Sequence, residues 1–228
     1  MKVAFCTPSL TGPTAPNIKA LEECLPAVEA AGFTHCYAQE VGNPYISAAR
    51  AKMTRMALDV NADVFVYIDY DVSFDPQDMV TLLQAEGDVV AGTYRFKKDD
   101  EEYMGQLVVD EAGCPIVRAD GCLRSALVPA GFLKVTRAAL VRLAKAYPEL
   151  MYGDPFSPEI DLFNHGAQGG IWWGEDYAFC QRWSKCGGEI WTPPNMNIHH
   201  HTRDAVYQGN LHEFLLRQPG GSKAPVVP

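Results

Sequence analysis

The stretch Val64-Phe65-Val66-Tyr67-Ile68-Asp69-Tyr70-Asp71 carries an apolar run that closes on two carboxylates one residue apart. In extended backbone, residues i and i+2 project to one side, so Asp69 and Asp71 are expected to face a common point. Two close carboxylates repel each other unless a proton or a cation lies between them. Mg²⁺ or Mn²⁺ suits that position, being a hard ion that accepts one or two carboxylates together with phosphate oxygens and waters. The competing reading is plainer: Asp favours turns, and Asp-x-Asp on its own is a common pattern. Its place after an apolar strand favours a site, because ligands of open α/β sheets gather at the carboxyl ends of strands. Asp75, followed by Pro76, reads instead as a helix cap.

A second acidic pair lies in Trp172-Trp173-Gly174-Glu175-Asp176-Tyr177, at the start of a predicted helix. Acids in a first helical turn stabilise the macrodipole by roughly 0.3–1 kcal/mol, which would account for them without function. The two tryptophans and the glycine before them are less easily explained that way. Aromatic faces beside carboxylates suit sugar recognition, and a carboxylate within about 3 Å of an acceptor hydroxyl can take its proton. Further on, Pro193-Pro194 and Ile198 precede His199-His200-His201, expected to follow a strand. Neutral imidazole ligates Mn²⁺ or Zn²⁺, so the triplet can add a third protein ligand to Asp69 and Asp71, the alternative being a polar loop without metal. His165 falls in a long loop, and His35 and His212 read as structural or solvated.

The elements that would position these groups alternate. Lys2 to Thr7 reads as a strand, Ile18 to Ala31 as a helix, His35 to Ala38 as a strand, Ile46 to Val60 as a helix, and Asp63 to Asp69 as a central strand. That order implies a parallel α/β sheet over the first half. Beyond it come a helix from Asp75, a strand at Val89 to Phe96, a hairpin over Tyr103 to Ala119, a strand at Ala126 to Val135, and a helix capped by Thr136. Gly153 to Gln168 reads as a long polar and aromatic loop of lid-like length, and Glu175 to Lys185 as a helix closed by Gly187-Gly188. A single domain over residues 1–217 with a loose tail at 218–228 is expected.

Composition narrows the class. The chain has 228 residues, 47% hydrophobic and 21% charged, ordinary for a globular protein. No apolar run approaches the roughly 20 residues of a membrane helix, and the N-terminal residues lead straight into a strand; a cytoplasmic protein of the producing or host cell is expected. Seven irregularly spaced cysteines contain no C-x-x-C and read as buried thiols in a reducing cytosol. A net charge of −9 weighs against broad phosphate-backbone binding.

Taken in order, these segments resemble the glycosyltransferases of the GT-A fold, particularly small family 2-like enzymes common in bacteria and bacteriophages. The C-terminal pattern is similar to that of polypeptide N-acetylgalactosaminyltransferases. The resemblance runs from about Lys2 to Thr202. It implies an α/β Rossmann-like mixed sheet flanked by helices, Mn²⁺ or Mg²⁺ as cofactor, and a nucleotide-sugar donor, often a uridine diphosphate sugar. Val3 to Pro8 resembles the strand whose end meets the nucleotide base, so Thr7, Pro8 and Ser9 become donor-binding candidates, with Arg50, Asp69, Tyr70, Gly131 and Trp173. Ala51 stands where the family has Asn after the arginine. Pro129-Ala130-Gly131-Phe132 resembles the strand beside the donor sugar, and Trp173 to Asp176 the acceptor and base helix. Asp176, with Glu175, is implied as the catalytic acid pair, and Asp69, Asp71 and His200 as the metal ligands, with His199 and His201 as fallbacks. The acceptor is open: a carbohydrate, a small molecule or a modified nucleobase. Two other readings stand beside this one. A nucleotidyltransferase commonly presents a Gly-rich basic phosphate loop after the first strand, whereas Pro8 to Pro16 has one Gly and no basic residue. A carbohydrate-binding module would explain the tryptophans but not the convergence of acids and histidine.

Overall fold

Continuous apolar strands alternate with amphipathic helices over the first third of the chain. The computed structural model, which describes residues 1–218, has β1 (Lys2–Ser9), α1 (Ala15–Ala30), β2 (Thr34–Val41) and α2 (Ile46–Asp59) in succession. Thr14 caps α1, its hydroxyl accepting from the Asn17 amide at 3.4 Å. β3 (Val64–Ile68) is buried at every residue, and a turn leads to β4 (Val72–Phe74) and α3 (Pro76–Gln84). Asp75 is the N-cap of α3, as the Asp-Pro pair predicts. Asp78, one turn on, accepts from the amides of Asp75 and Asn197, each at 3.1 Å.

The second half adds β5 (Val89–Ala91), β6 (Gln106–Leu107), β7 (Leu123–Leu127), β8 (Phe132–Thr136), α4 (Arg137–Ala146), β9 (Met151–Asp154), β10 (Ser157–Ile160), β11 (Gly166–Gln168) and β12 (Ile171–Trp173). It ends with α5 (Glu175–Lys185), β13 (Ile190–Thr192), β14 (Ile198–His201), β15 (Val206–Tyr207) and α6 (Leu211–Arg217). Eight strands form the main sheet in the order β2-β1-β3-β8-β5-β13-β7-β6. The parallel expectation holds for β2, β1 and β3. The sheet as a whole is mixed, because β8 lies between β3 and β5 and runs antiparallel to both. A second, three-stranded sheet has the order β15-β14-β4.

Strand alternation sends side chains to two cores. Ala4, Cys6, Phe65 and Tyr67 pack with Met53 of α2, Leu143 of α4 and Phe179 and Trp183 of α5. Val3, Phe5 and Val66 pack on the other face with Leu21 of α1, Met79 of α3 and Ile198 of β14. The sheet is therefore covered on both faces and its strand ends are left for ligands.

Several expectations change. Ala126 to Val135 is not one strand but two, β7 and β8, separated at Val128–Gly131, where Pro129 has no N–H to give to a ladder. The strand predicted to Phe96 leaves the sheet after Ala91; at Gly92 an added Cβ would lie 2.2 Å from Ile198 Cδ1. The hairpin over Tyr103 to Ala119 is reduced to β6 and isolated bridges at Val109–Pro115 and Val117–Leu123. The predicted loop at 153–168 is largely ordered by pairing, β9 with β10 and β11 with β12. The histidine triplet lies within β14 rather than after a strand. All seven cysteines are free; Cys6, Cys24, Cys122 and Cys180 are buried, but Cys114 is exposed. Among the described residues no helix is long and apolar enough to cross a membrane. Of the predicted tail, residues 219–228 lie outside the described residues.

Candidate active site

The acid segment leaves β3 and turns at once, the Val72 amide donating to the Asp69 carbonyl at 3.0 Å. Buried backbone groups in such a turn need partners, and α1 supplies them. Asn17, fully buried, donates from Nδ2 to the carbonyls of Asp69 at 3.1 Å and Val72 at 2.8 Å. The Thr14 amide and hydroxyl both donate to the Tyr70 carbonyl. On the opposite side the Asp69 amide donates to the Gly131 carbonyl at 3.1 Å. The extended backbone expected for Asp69 to Asp71 is thus replaced by a turn, and the two carboxylates take different partners. Asp69 accepts from Arg50 Nη2 at 2.8 Å and from the Tyr94 hydroxyl at 3.4 Å. Asp71 is buried, pairs through Oδ2 with the Lys97 ammonium, and sets Oδ1 3.9 Å from His200 Nε2.

His200 arrives there by strand register. β14 pairs antiparallel with β4, placing His200 opposite Val72, next to Asp71. Neighbours in a strand point to opposite faces. His199 and His201 accordingly share the other face, their rings 6.5 Å apart, with His201 Nε2 bonded to the Ser73 hydroxyl at 2.7 Å. His200 Nδ1 lies 2.9 Å from the Arg95 carbonyl. A carbonyl only accepts, so Nδ1 carries the proton and Nε2 of the neutral ring presents its lone pair on the Asp71 side. Burial holds the imidazole pKa below its ordinary value, and the nearby Lys97 charge acts the same way against the Arg95 bond. Orientation of a ligand histidine by a backbone carbonyl is a recurrent second-layer feature of metal sites.

Arg50 ties the two acidic motifs together. It is 1% exposed, and besides Asp69 it donates from Nη1 to Glu175 Oε1 at 3.1 Å. Its guanidinium lies 5.0 Å from the centre of the Phe163 ring. Burial opposes its charge, but Asp69 and Glu175 outweigh that and raise its pKa. Asp176 follows Glu175 in the first turn of α5 and accepts from the Tyr177 amide at 2.8 Å. Burial, aided by the charge on Glu175 and opposed by Arg50, pushes the Asp176 carboxyl up to about 6.

Around this core stand the other candidates. Thr7 and Ser9, buried at the end of β1, have hydroxyls with no hydrogen-bond partner. Buried polar groups are nearly always satisfied, and Thr7 and Ser9 share this lack of a partner with other buried atoms, among them Asn17 Oδ1 and Arg50 Nε. Pro8 lies between them, Tyr70 is partly exposed in the turn, and Trp173 is half-buried on β12, while Trp172 is 71% exposed. Gly131 passes so close beneath the acid turn that an added Cβ would lie 2.1 Å from the Tyr94 hydroxyl and 2.5 Å from Asp69 Oδ2. Gly131→Ala is therefore expected to cost about 1–3 kcal/mol by overpacking. Thermal melting of the variant reads that loss.

Three residues escaped the sequence reading. Asn17 sits in an ordinary helix start, and Tyr94 falls within the strand expected at Val89 to Phe96. Lys97, next to Lys98 and the acids at 99–102, reads in sequence as part of a solvated mixed-charge loop; Lys98 does pair with Glu102, but Lys97 pairs with Asp71. As to metal, no three His, Cys, Asp or Glu side chains among the described residues gather closely enough to hold an ion. What faces the site is one carboxylate and one oriented imidazole nitrogen, Asp71 and His200, a donor pair that fits Mn²⁺. Asp69 is turned into Arg50 instead.

A mixed sheet flanked by helices, with an acid turn at the end of β3 and a helix opening on two acids, is a GT-A-like architecture. Two solved structures share it. One is A197 from STIV, at 16% identity and a TM-score of 0.54, matched over 92% of this chain and 95% of that one. The other is GalNAc-T7, crystallised with UDP, GalNAc and Mn²⁺, at 12% identity and a TM-score of 0.53. That match covers 89% of this chain but 44% of GalNAc-T7. At these identities the likeness is one of fold. No family model and no curated protein matches the sequence.

Proposed function

We propose that this chain is a metal-dependent glycosyltransferase that moves a sugar from a nucleoside diphosphate donor, a uridine diphosphate sugar in the first instance, to a hydroxyl acceptor. The observation that carries the reading is the bridging of two acidic motifs by buried Arg50, beside an Asp71–His200 pair whose imidazole tautomer is set by a carbonyl. The presence of UDP and Mn²⁺ in the GalNAc-T7 structure supports this choice of donor and ion.

In this reading the domain at 1–217 carries the whole reaction. Thr7 and Ser9 offer unpaired hydroxyls to the nucleotide, with Pro8 and Tyr70 forming the adjoining wall. Arg50 and the Tyr94 hydroxyl hold the Asp69 carboxylate, which supports the acid turn beside the donor. Gly131, having no Cβ, lets Asp69 and the Tyr94 hydroxyl lie close against its backbone. Asp71 and His200 would hold the ion, which when bound supplies neutralising charge for the departing diphosphate. Asp176, ionised above about pH 6, takes the proton from the acceptor hydroxyl. Glu175 stays paired to Arg50 and holds the helix start in place. Trp173 borders the sugar site, and its ring suits stacking on sugar C–H faces.

The test is donor hydrolysis by purified protein against a panel of nucleotide sugars, with Mn²⁺ and with chelator. One nucleotide should be released slowly, only with the metal, and Asp71→Ala should remove that release. If no donor is hydrolysed and calorimetry detects no nucleotide binding with or without metal, the transferase reading is wrong and carbohydrate binding replaces it.

A further inference from the structure

Four carboxylates, Asp69, Asp71, Glu175 and Asp176, meet two side-chain cations here, and the two cations are held very differently. Arg50 is locked beneath the site, whereas Lys97 reaches in from the surface with its side chain 33% exposed. We propose that Lys97 is a resident counter-ion: it occupies Asp71 while the divalent ion is absent, and once displaced by the ion it passes to the diphosphate of the donor. The proposal rests on the reading that Asp71 and His200 hold the ion.

The backbone that carries Lys97 is pinned on both sides. The Arg95 carbonyl accepts from His200 Nδ1, and the Arg95 guanidinium donates to the carbonyls of Lys98 and Asp99 at 3.2 and 2.8 Å. The Phe96 amide donates to the Glu102 carbonyl, and the Lys98 amide to the Phe96 carbonyl, both at 2.9 Å. Exchange of partners therefore needs rotation of one side chain, not movement of a loop. Lysine is suited to that, since its ammonium is a compact point charge on a flexible four-carbon stem, without the fixed fork of arginine.

Electrostatics supply both halves of the exchange. A buried carboxylate left without a partner is costly, so Lys97 stabilises Asp71 in the metal-free chain. A divalent cation brings twice the charge to the same carboxylate and also engages the Nε2 lone pair of His200. The released ammonium then stands at the rim of a site about to receive a diphosphate, and lysine serves as a point-charge phosphate binder. The lysine thus opposes ion binding and favours donor binding.

Mn²⁺ affinity is measured on the full chain by the electron paramagnetic resonance signal of free Mn²⁺, in wild type, Lys97→Met, Lys97→Arg and Asp71→Ala. UDP affinity is measured by calorimetry at saturating Mn²⁺. Lys97→Met is expected to bind Mn²⁺ roughly three- to tenfold more tightly and UDP roughly three- to tenfold more weakly, the scale of one partly exposed ion pair. Lys97→Arg should restore most of both effects, and Asp71→Ala should lose Mn²⁺. If wild type binds Mn²⁺ but Lys97→Met binds it no more tightly, the counter-ion proposal is overturned while the metal reading stands. If neither binds Mn²⁺, both fall. If only Lys97→Met binds it, the proposal is upheld in its strongest form.

Discussion

Arg50→Met is expected to cost about 3 kcal/mol of stability and at least ~100-fold in turnover. Breaking a buried ion pair by removing one partner costs roughly 3–5 kcal/mol. The lower end applies because the Asp69 and Glu175 side chains each retain 28% exposure and recover some hydration. For a domain of this size that lowers Tm by roughly 6–12 °C. The loss of turnover has a separate origin: without the guanidinium, Asp69 and Glu175 repel each other and the two acidic motifs lose their common anchor. Arg50→Lys keeps the charge but not the fork that reaches both acids, so it should recover part of the stability and little of the turnover. Thermal melting in parallel with donor hydrolysis decides the matter. A variant that melts early yet turns over normally would confine Arg50 to folding.

Asp176→Asn should do the opposite to stability while removing more activity. The Asp176 carboxyl, pushed up to about 6, lies above the ordinary value of about 4. The folded chain therefore binds this proton more tightly than the unfolded chain. Its stabilising contribution is complete at low pH and is lost as pH rises through 4 to 6. Above pH 6 the buried charge is a burden that asparagine lacks, so the variant should gain up to about 2 kcal/mol at pH 7.5. Turnover should fall roughly 10²- to 10⁴-fold, the range of a lost general base. Wild-type turnover should itself decline below about pH 6, and the residual activity of the variant should not follow that limb. A variant keeping more than a tenth of wild-type turnover would remove Asp176 from the base role.

The first third of the fold was legible because its signals are local. The Asp75-Pro76 cap, the apolar run of β3 and the glycine after α1 each specify an element without reference to distant partners. The glutamate and aspartate of α5 were placed correctly at a helix start for the same reason. What could not be read depends on tertiary contacts. β14 is a strand because β4 pairs with it, and that register puts His200, the histidine that the resemblance favours, beside Asp71. The turn at Tyr70 exists because Asn17 and Thr14 collect its carbonyls from 50 or more residues away. Lys97 was misassigned because a lysine among acids looks the same in sequence whether its partner is a neighbour or Asp71. Tyr94 left no trace, since a tyrosine in a predicted strand reads as ordinary core, and it is indeed buried.

The pairing of β4 with β14 also governs the order in which the protein can come into being. Ser73 and His201 are 128 positions apart, so closing that loop is among the later and slower entropic steps of folding. During synthesis the acids at 69 and 71, and the arginine at 50, emerge long before the imidazole that completes their surroundings. A partly made chain therefore has the carboxylates without the histidine, and only the finished fold brings both to one place. The setting of Asp71 beside His200 is in this way a late property of the fold, absent until β14 has been made and paired.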